Sequence, residues 1–136
     1  MIRMRRKISV LLVLISVLSL GLVGCGKYTS SFSAVGLVSS NTSGSGYMSF
    51  YRFKGTKVFK FDIDDDDYGK LVYSGKLEKG SIKVYYDVND TKQVLFEMKE
   101  GEEVSSELAD LPEGKLYVIV ETDGTASNGN VDFDIE

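Results

Sequence analysis

From residue 32 onward the apolar side chains of this chain recur at every second position, the period at which successive side chains leave opposite faces of a β-strand. Met48, Phe50 and Arg52 alternate with Tyr47, Tyr51 and Phe53, and Phe59, Phe61 and Ile63 share a face. Leu71 goes with Tyr73, and Ile82, Val84, Tyr86 and Val88 make a longer set. Val94, Phe96 and Met98 follow, then Leu116, Val118 and Val120, then Val131, Phe133 and Ile135. These runs predict seven strands, or eight with Phe32 to Val38. Turn formers separate them at Ser39 to Gly46, Gly55-Thr56, Asp64 to Gly69, Gly75, Lys79-Gly80, Asn89-Asp90, Gly101 and Asp123 to Gly129. Turns spaced by roughly 8 to 12 residues point to one all-β domain, a sandwich or a barrel. Only Val104 to Leu111 breaks the alternation; Ser105, Ser106 and Glu107 suit the cap of one short helical turn that Pro112 ends.

The N-terminus follows another rule. Arg3, Arg5, Arg6 and Lys7 precede an uncharged apolar run of 16 residues, Ile8 to Val23. That is shorter than the roughly 20 residues a membrane-crossing helix needs, and it matches a secretory signal. It ends in Leu22-Val23-Gly24-Cys25, which resembles the lipobox of bacterial lipoproteins. The resemblance implies cleavage before Cys25 and a diacylglycerol on its thiol. Residues 1–24 are then the signal peptide, 25–31 the lipidated cysteine with a short polar tether, and 32–136 the domain. Each methylene buried in a bilayer contributes about 0.8 kcal/mol, so two acyl chains give lasting attachment. The expected location is the extracytoplasmic side of a bacterial cell membrane, with the bilayer as partner through Cys25.

Removing the signal leaves 12 basic residues against 20 acidic ones, a net charge of −8. A body so acidic is unsuited to nucleic acid, whose recognition draws on a basic face. It also predicts a domain that stands off anionic lipid on its tether. Cys25 is the only cysteine and there is no histidine. No intramolecular disulfide staples the fold, zinc lacks its usual ligands, and the commonest general base and thiol nucleophile are missing. Stability must come from packing, for which all eight Tyr and all seven Phe lie after Cys25.

The C-terminal half carries a second resemblance. Gly80-Ser81-Ile82-Lys83-Val84-Tyr85-Tyr86, then Leu111-Pro112-Glu113-Gly114-Lys115-Leu116-Tyr117-Val118-Ile119-Val120, then Gly129-Asn130-Val131-Asp132-Phe133-Asp134-Ile135 is similar to the cadence of bacterial pre-peptidase C-terminal domains and the related Golgi-dynamics (GOLD) domains. That likeness implies a single jelly-roll-like antiparallel β-sandwich of seven to eight strands. It also implies an accessory or binding role, with no catalytic motif.

Among candidate sites, Asp62-Ile63-Asp64-Asp65-Asp66-Asp67 places five carboxylates in six residues. Calcium takes six to eight oxygens, and clustered aspartates on a loop supply them. Read as an EF-hand loop, Asp62, Asp64 and Asp66 fall at positions one, three and five. Asp67 then stands where glycine is required, and Tyr73 where glutamate is. The alternative is a solvated turn that keeps a sheet end soluble. Asp87, Asn89 and Asp90, or Asp132 and Asp134, are the partners a calcium site would draw on.

Gly124 and Gly129 have P-loop spacing but are followed by Asn130 and Val131, so no phosphate cradle forms. Gly44-Ser45-Gly46 leads into a strand and fails as a dinucleotide motif. Asn41-Thr42-Ser43 and Asn89-Asp90-Thr91 are formal glycosylation acceptors, but the bacterial lipidation signal that Cys25 resembles favours reading both as turn chemistry. Tyr47, Tyr51, Tyr73, Tyr85 and Tyr86 offer a sugar-stacking platform or simply good strand formers. Three functions remain. The first is a non-catalytic module that binds an envelope protein or polysaccharide. The second is a calcium-dependent or carbohydrate-binding module, and the third a carboxylate-based hydrolase, which needs two carboxylates about 5 to 9.5 Å apart in a cleft.

Overall fold

The computed structural model describes residues 28 to 136, so the signal segment, the lipobox residues Leu22, Val23 and Gly24, and Cys25 lie outside the described residues. Among the described residues nine antiparallel strands form in chain order: β1 (Ser31–Val35), β2 (Val38–Asn41), β3 (Ser45–Ile63), β4 (Leu71–Lys79), β5 (Ile82–Val88), β6 (Thr91–Met98), β7 (Glu103–Leu108), β8 (Gly114–Thr122) and β9 (Ala126–Ile135). They hydrogen-bond in the order β6-β5-β8-β3-β9-β4-β7, with β1 and β2 also paired to β3.

The 19-residue β3 organises the molecule. A straight strand rises about 3.3 Å per residue, which would set Gly46 and Phe61 about 50 Å apart. Yet a Cβ on Gly46 would lie 3.0 Å from the Phe61 ring and 2.8 Å from Phe59. The strand therefore folds over on itself. The bend falls at Gly55, whose φ of 124° is denied to other residues and where a Cβ would strike the Ser31 carbonyl.

Two sheets result. Phe53 pairs with both Ala34 and Ala126, and Thr56 with both Ser31 and Glu121. A residue's two partners lie on opposite edges, so β8 takes up beyond the bend the edge that β9 leaves. The first sheet is β1 and β2, the first half of β3, β9, β4 and β7; the second is the latter half of β3, β8, β5 and β6. Of the sandwich or barrel that the alternation left open, this is the β-sandwich, the form that the C-terminal resemblance implied. Its core is aromatic: Phe133 contacts Phe59 at 5.3 Å and Phe61 at 6.2 Å between ring centroids. At the far side the sandwich nearly closes, with Tyr73 of β4 stacked on Phe96 of β6 at 5.1 Å.

Bending exposes the outer edge of β3, and polar groups from the N-terminal part satisfy it. Val58 N donates to Ser30 Oγ at 2.8 Å, and Lys60 N to Asn41 Oδ1 at 2.9 Å. Asn41 Nδ2 returns a bond to Lys60 O at 2.9 Å, and Asp62 N donates to Ser43 O at 2.9 Å. The Asn41 amide thus substitutes for one residue of a missing strand, which removes an aggregation-prone edge.

Several local expectations change. Gly55-Thr56 is a bend within β3, not a break between strands, because pairing with β1 and β8 continues through it. Phe32 to Val38 contributes to two strands, split at Gly36 with φ 64°. The helical turn expected over Val104 to Leu111 is instead β7, whose pairing from Leu71↔Leu108 to Lys76↔Glu103 overrides a weak local capping signal. Phe53 joins Phe50 inside instead of opposing it. The inner face advances by three residues there and, across the ladder, from Ala126 to Gly129, where Asn128 adopts φ 51°.

Candidate functional site

The acidic segment closes the second half of β3. Asp67 N donates to Asp64 O at 3.1 Å and Asp64 N to Asp67 Oδ2 at 2.7 Å, forming a tight turn. This turn brings together Asp64, Asp66 and Asp67, with one carboxylate oxygen of each within 4.8 Å of the others. Asp62 stands apart, on the outer face of β3, held by Lys115 Nζ at 3.3 Å. Burial, followed by the charges of Asp67 and Asp66, raises the Asp64 pKa above the usual aspartate value. Asp132 and Asp134 sit on β9, where burial and then Asp134 raise Asp132. These three carboxylates, Asp64 and Asp66 exposed and Asp67 half-buried, supply about half of a calcium shell, water having to complete it.

A better-formed concavity lies on the outer face of the second sheet. The strands that build it turn Ile82, Val84, Phe96, Met98, Leu116, Val118 and Val120 inward. Their alternate residues Lys83, Tyr85, Glu97 and Glu121 therefore point outward. Here they line a cleft of about 330 Å³ together with Ser81, Lys99, Thr122 and Asp123, and the core residues Ile82 and Met98 contribute to its wall. A bulge between Val84 and Tyr85 in the pairing of β5 with β6 re-aims the chain beside it.

Two ion pairs lie in this cleft and at its margin. Lys83 Nζ bonds Glu97 Oε1 at 3.2 Å, and Lys92 Nζ lies 4.0 Å from Glu121 Oε1. The hydrogen bond that Lys83 donates to Glu97, followed by the neighbouring Tyr85 phenol, holds the Lys83 pKa above its usual value. Lys92 also sits over the Tyr85 ring at 4.3 Å and over the Tyr28 ring at 5.7 Å. The Tyr28 hydroxyl donates to the carboxylate of Asp87, the buried charged residue of β5, and its ring meets Tyr117 edge-on at 5.5 Å. Ile119 is buried although it too belongs to this outer face. Of the segment assigned to the tether, then, the described part is docked: Tyr28 packs on the sheet and Ser31 opens β1.

Among the tyrosines proposed as a platform, Tyr73 is core. Tyr47 and Tyr51 are exposed on β3, with Arg52 over the Tyr51 ring at 5.3 Å. Tyr85 and Tyr86 are half-buried on opposite faces of β5, Tyr86 donating to Gln93 at 3.0 Å. Only Tyr85 lines the cleft. Sequence reading missed Lys83, Lys92, Glu97, Glu121 and Tyr28; the signal that could have found them is the polar half of the same alternation that revealed the core.

No family model matches the sequence, and no curated protein does. Among solved structures, the chain is similar to the pre-peptidase C-terminal domain of a collagenase from Bacillus anthracis. That match has 13% identity, covers 79% of this chain and 89% of that one, and has a TM-score of 0.44. It is also similar to a family 29 carbohydrate-binding module, at 14% identity over 79% of this chain and 84% of that one, with a TM-score of 0.40. A cupin domain from Bordetella pertussis Tohama I matches at 10% identity over 76% and 97%, with a TM-score of 0.36. The pre-peptidase type implied by the C-terminal cadence is among these neighbours. At such scores, what the neighbours bind is no guide to this chain, and the functional reading has to rest on its own residues.

Proposed function

We propose that this chain is a lipid-anchored, non-catalytic module of the bacterial envelope that binds sugar hydroxyls in the cleft beside Tyr85. The observation that carries this reading is the cleft's composition: one aromatic ring and the apolar Ile82 and Met98 beside lysines and carboxylates, of which Glu97 is held by Lys83 and Glu121 by Lys92 at the cleft's margin. A sugar hydroxyl both donates and accepts, so a wall offering ammonium donors and carboxylate acceptors suits it. An aromatic face covers its apolar C–H patches. A cleft of about 330 Å³ is at the small end of ligand pockets. Neither Glu97 nor Glu121 stands alone as an acid opposite a base, since each is engaged by a lysine. That arrangement favours binding over hydrolysis.

The test is an NMR titration of the domain with fragments of envelope glycans. Shifts concentrated at Lys83, Tyr85 and Glu97 are expected, and Tyr85→Ala should weaken binding about tenfold, the equivalent of ~1.4 kcal/mol. Shifts elsewhere, or a Tyr85→Ala domain that binds as well as its parent, would refute the reading. Calcium on Asp64, Asp66 and Asp67 is a second reading, favoured by the convergence of those three carboxylates.

A further inference from the structure

We propose that the outer face of the second sheet lies against the bilayer that carries the anchor, clamped there by Tyr28; this rests on the reading of Cys25 as the lipid-bearing residue. Chain length supplies the first constraint. Only Gly26 and Lys27 separate Tyr28 from Cys25, and at most about 3.6 Å of reach for each of the three residue steps keeps the anchor within about 11 Å of the Tyr28 backbone. Tyr28 is itself fastened to the second sheet, by its hydroxyl to Asp87, by its ring to Tyr117 and beneath Lys92. For the first sheet to face the lipid, the link would have to pass two sheets about 10 Å apart and the side chains beyond them. It is too short.

Charge supplies the second constraint. The body carries −8 after processing, which would repel an anionic surface. On this outer face, however, Lys83, Lys92 and Lys115 are matched by Glu97, Glu121 and Asp62, so the pairs are neutral. The net negative charge falls mainly on the rest of the domain. What the face adds is Tyr28, Tyr85, Tyr117 and the exposed Val94, among lysines whose stems can lie on apolar surface while their ammonium groups reach phosphate. Tyrosine and lysine are the residues that settle at a membrane–water interface. The stand-off posture expected from net charge therefore gives way to a seated one. The cleft opens on this face, so the sugar it takes is one borne by the bilayer, as a glycolipid headgroup is.

The experiment uses the full chain, lipidated in a bacterial host and reconstituted into vesicles of phosphatidylethanolamine and phosphatidylglycerol that carry a headgroup quencher. With Cys25 occupied by lipid, a single fluorophore is attached through Val94→Cys on the outer face of the second sheet, or through Lys76→Cys on the outer face of the first. The Val94 label is expected to be quenched several times more strongly. Inserting about ten Gly and Ser residues between Lys27 and Tyr28, which leaves the docked residues intact but lengthens the link, should abolish the difference. Equal quenching of the two labels on vesicle-bound protein would overturn the orientation and leave the anchor standing. Protein absent from the vesicle fraction would overturn the anchor and the orientation together.

Discussion

Replacing Gly46 by alanine tests the doubling-over of β3, because only in the folded-over strand does that position face Phe59 and Phe61. A Cβ there meets Phe59 Cδ1 at 2.8 Å and Phe61 Cζ and Cε1 at 3.0 and 3.1 Å. These are ring atoms locked in an aromatic cluster with Phe133 and cannot step aside as a flexible chain end would. Overpacking of this kind costs about 1–3 kcal/mol, and rigid rings put Gly46→Ala at about 2–3. For a domain of about 100 residues the Tm should fall by about 8–20 °C. Gly44→Ala is the control, since nothing lies within 4 Å of its Cβ. It should stabilise by about 0.4–1 kcal/mol through the unfolded chain. Urea and thermal unfolding of Lys27 to Glu136 read both, and adding Phe61→Leu to Gly46→Ala should recover part of the loss. If Gly46→Ala proves neutral or stabilising, as an alanine with room in a strand would be, the two halves of β3 do not meet and the sandwich assignment is wrong.

Two further tests address the sheet edge and the acidic turn. Asn41→Ala removes both bonds to Lys60, at about 0.5–1.5 kcal/mol each; a lower urea midpoint and faster light-scattering growth are expected, the latter because a strand edge is uncovered. Millimolar calcium should raise the Tm by several degrees, chelator should reverse it, and Asp64→Asn with Asp66→Asn should remove it. The raised Asp64 carboxyl takes up a proton at higher pH than an ordinary aspartate does, so the calcium response should fade early on acidification. A calcium-insensitive Tm would leave the segment as a solvated turn.

Much of this sandwich could be read from period-two alternation, because burial of one face is a local property of each strand. Phe59, Phe61 and Ile63, or Leu116, Val118 and Val120, are inward in the structure as their spacing requires. Where reading failed, pairing partners decided the outcome. Glu103–Leu108 contains little that favours a strand, but the edge of β4 stands open to it. Gly55 looked like a terminator because glycine usually ends a strand, whereas here its positive φ turns a continuing one. The step from Phe50 to Phe53 depends on a matching step in β9, 73 residues away from Phe53 at Ala126, and no window on either strand contains both.

The cleft on the second sheet was harder to read for a related reason. A core announces itself by hydrophobicity, which each residue carries alone, but a polar site is made by cross-strand pairs. Lys83 meets Glu97 only because β5 and β6 pair in one register, and Lys92 reaches Glu121 only across β5. Tyr28 was hidden most thoroughly, since glycine, serine and threonine around it read as a loose tether. Its counterpart Asp87 falls on the polar half of the alternation in β5, where a solvated carboxylate is ordinary, and only the structure shows it buried. The structure shows the Tyr28 hydroxyl there. Burying a carboxylate is costly, and a fold that needed only to be stable would be served as well by an apolar residue at that position. What the pairing adds is a fixed place for Tyr28 on the second sheet, and it is this fixed place that the proposed anchor would turn into an orientation.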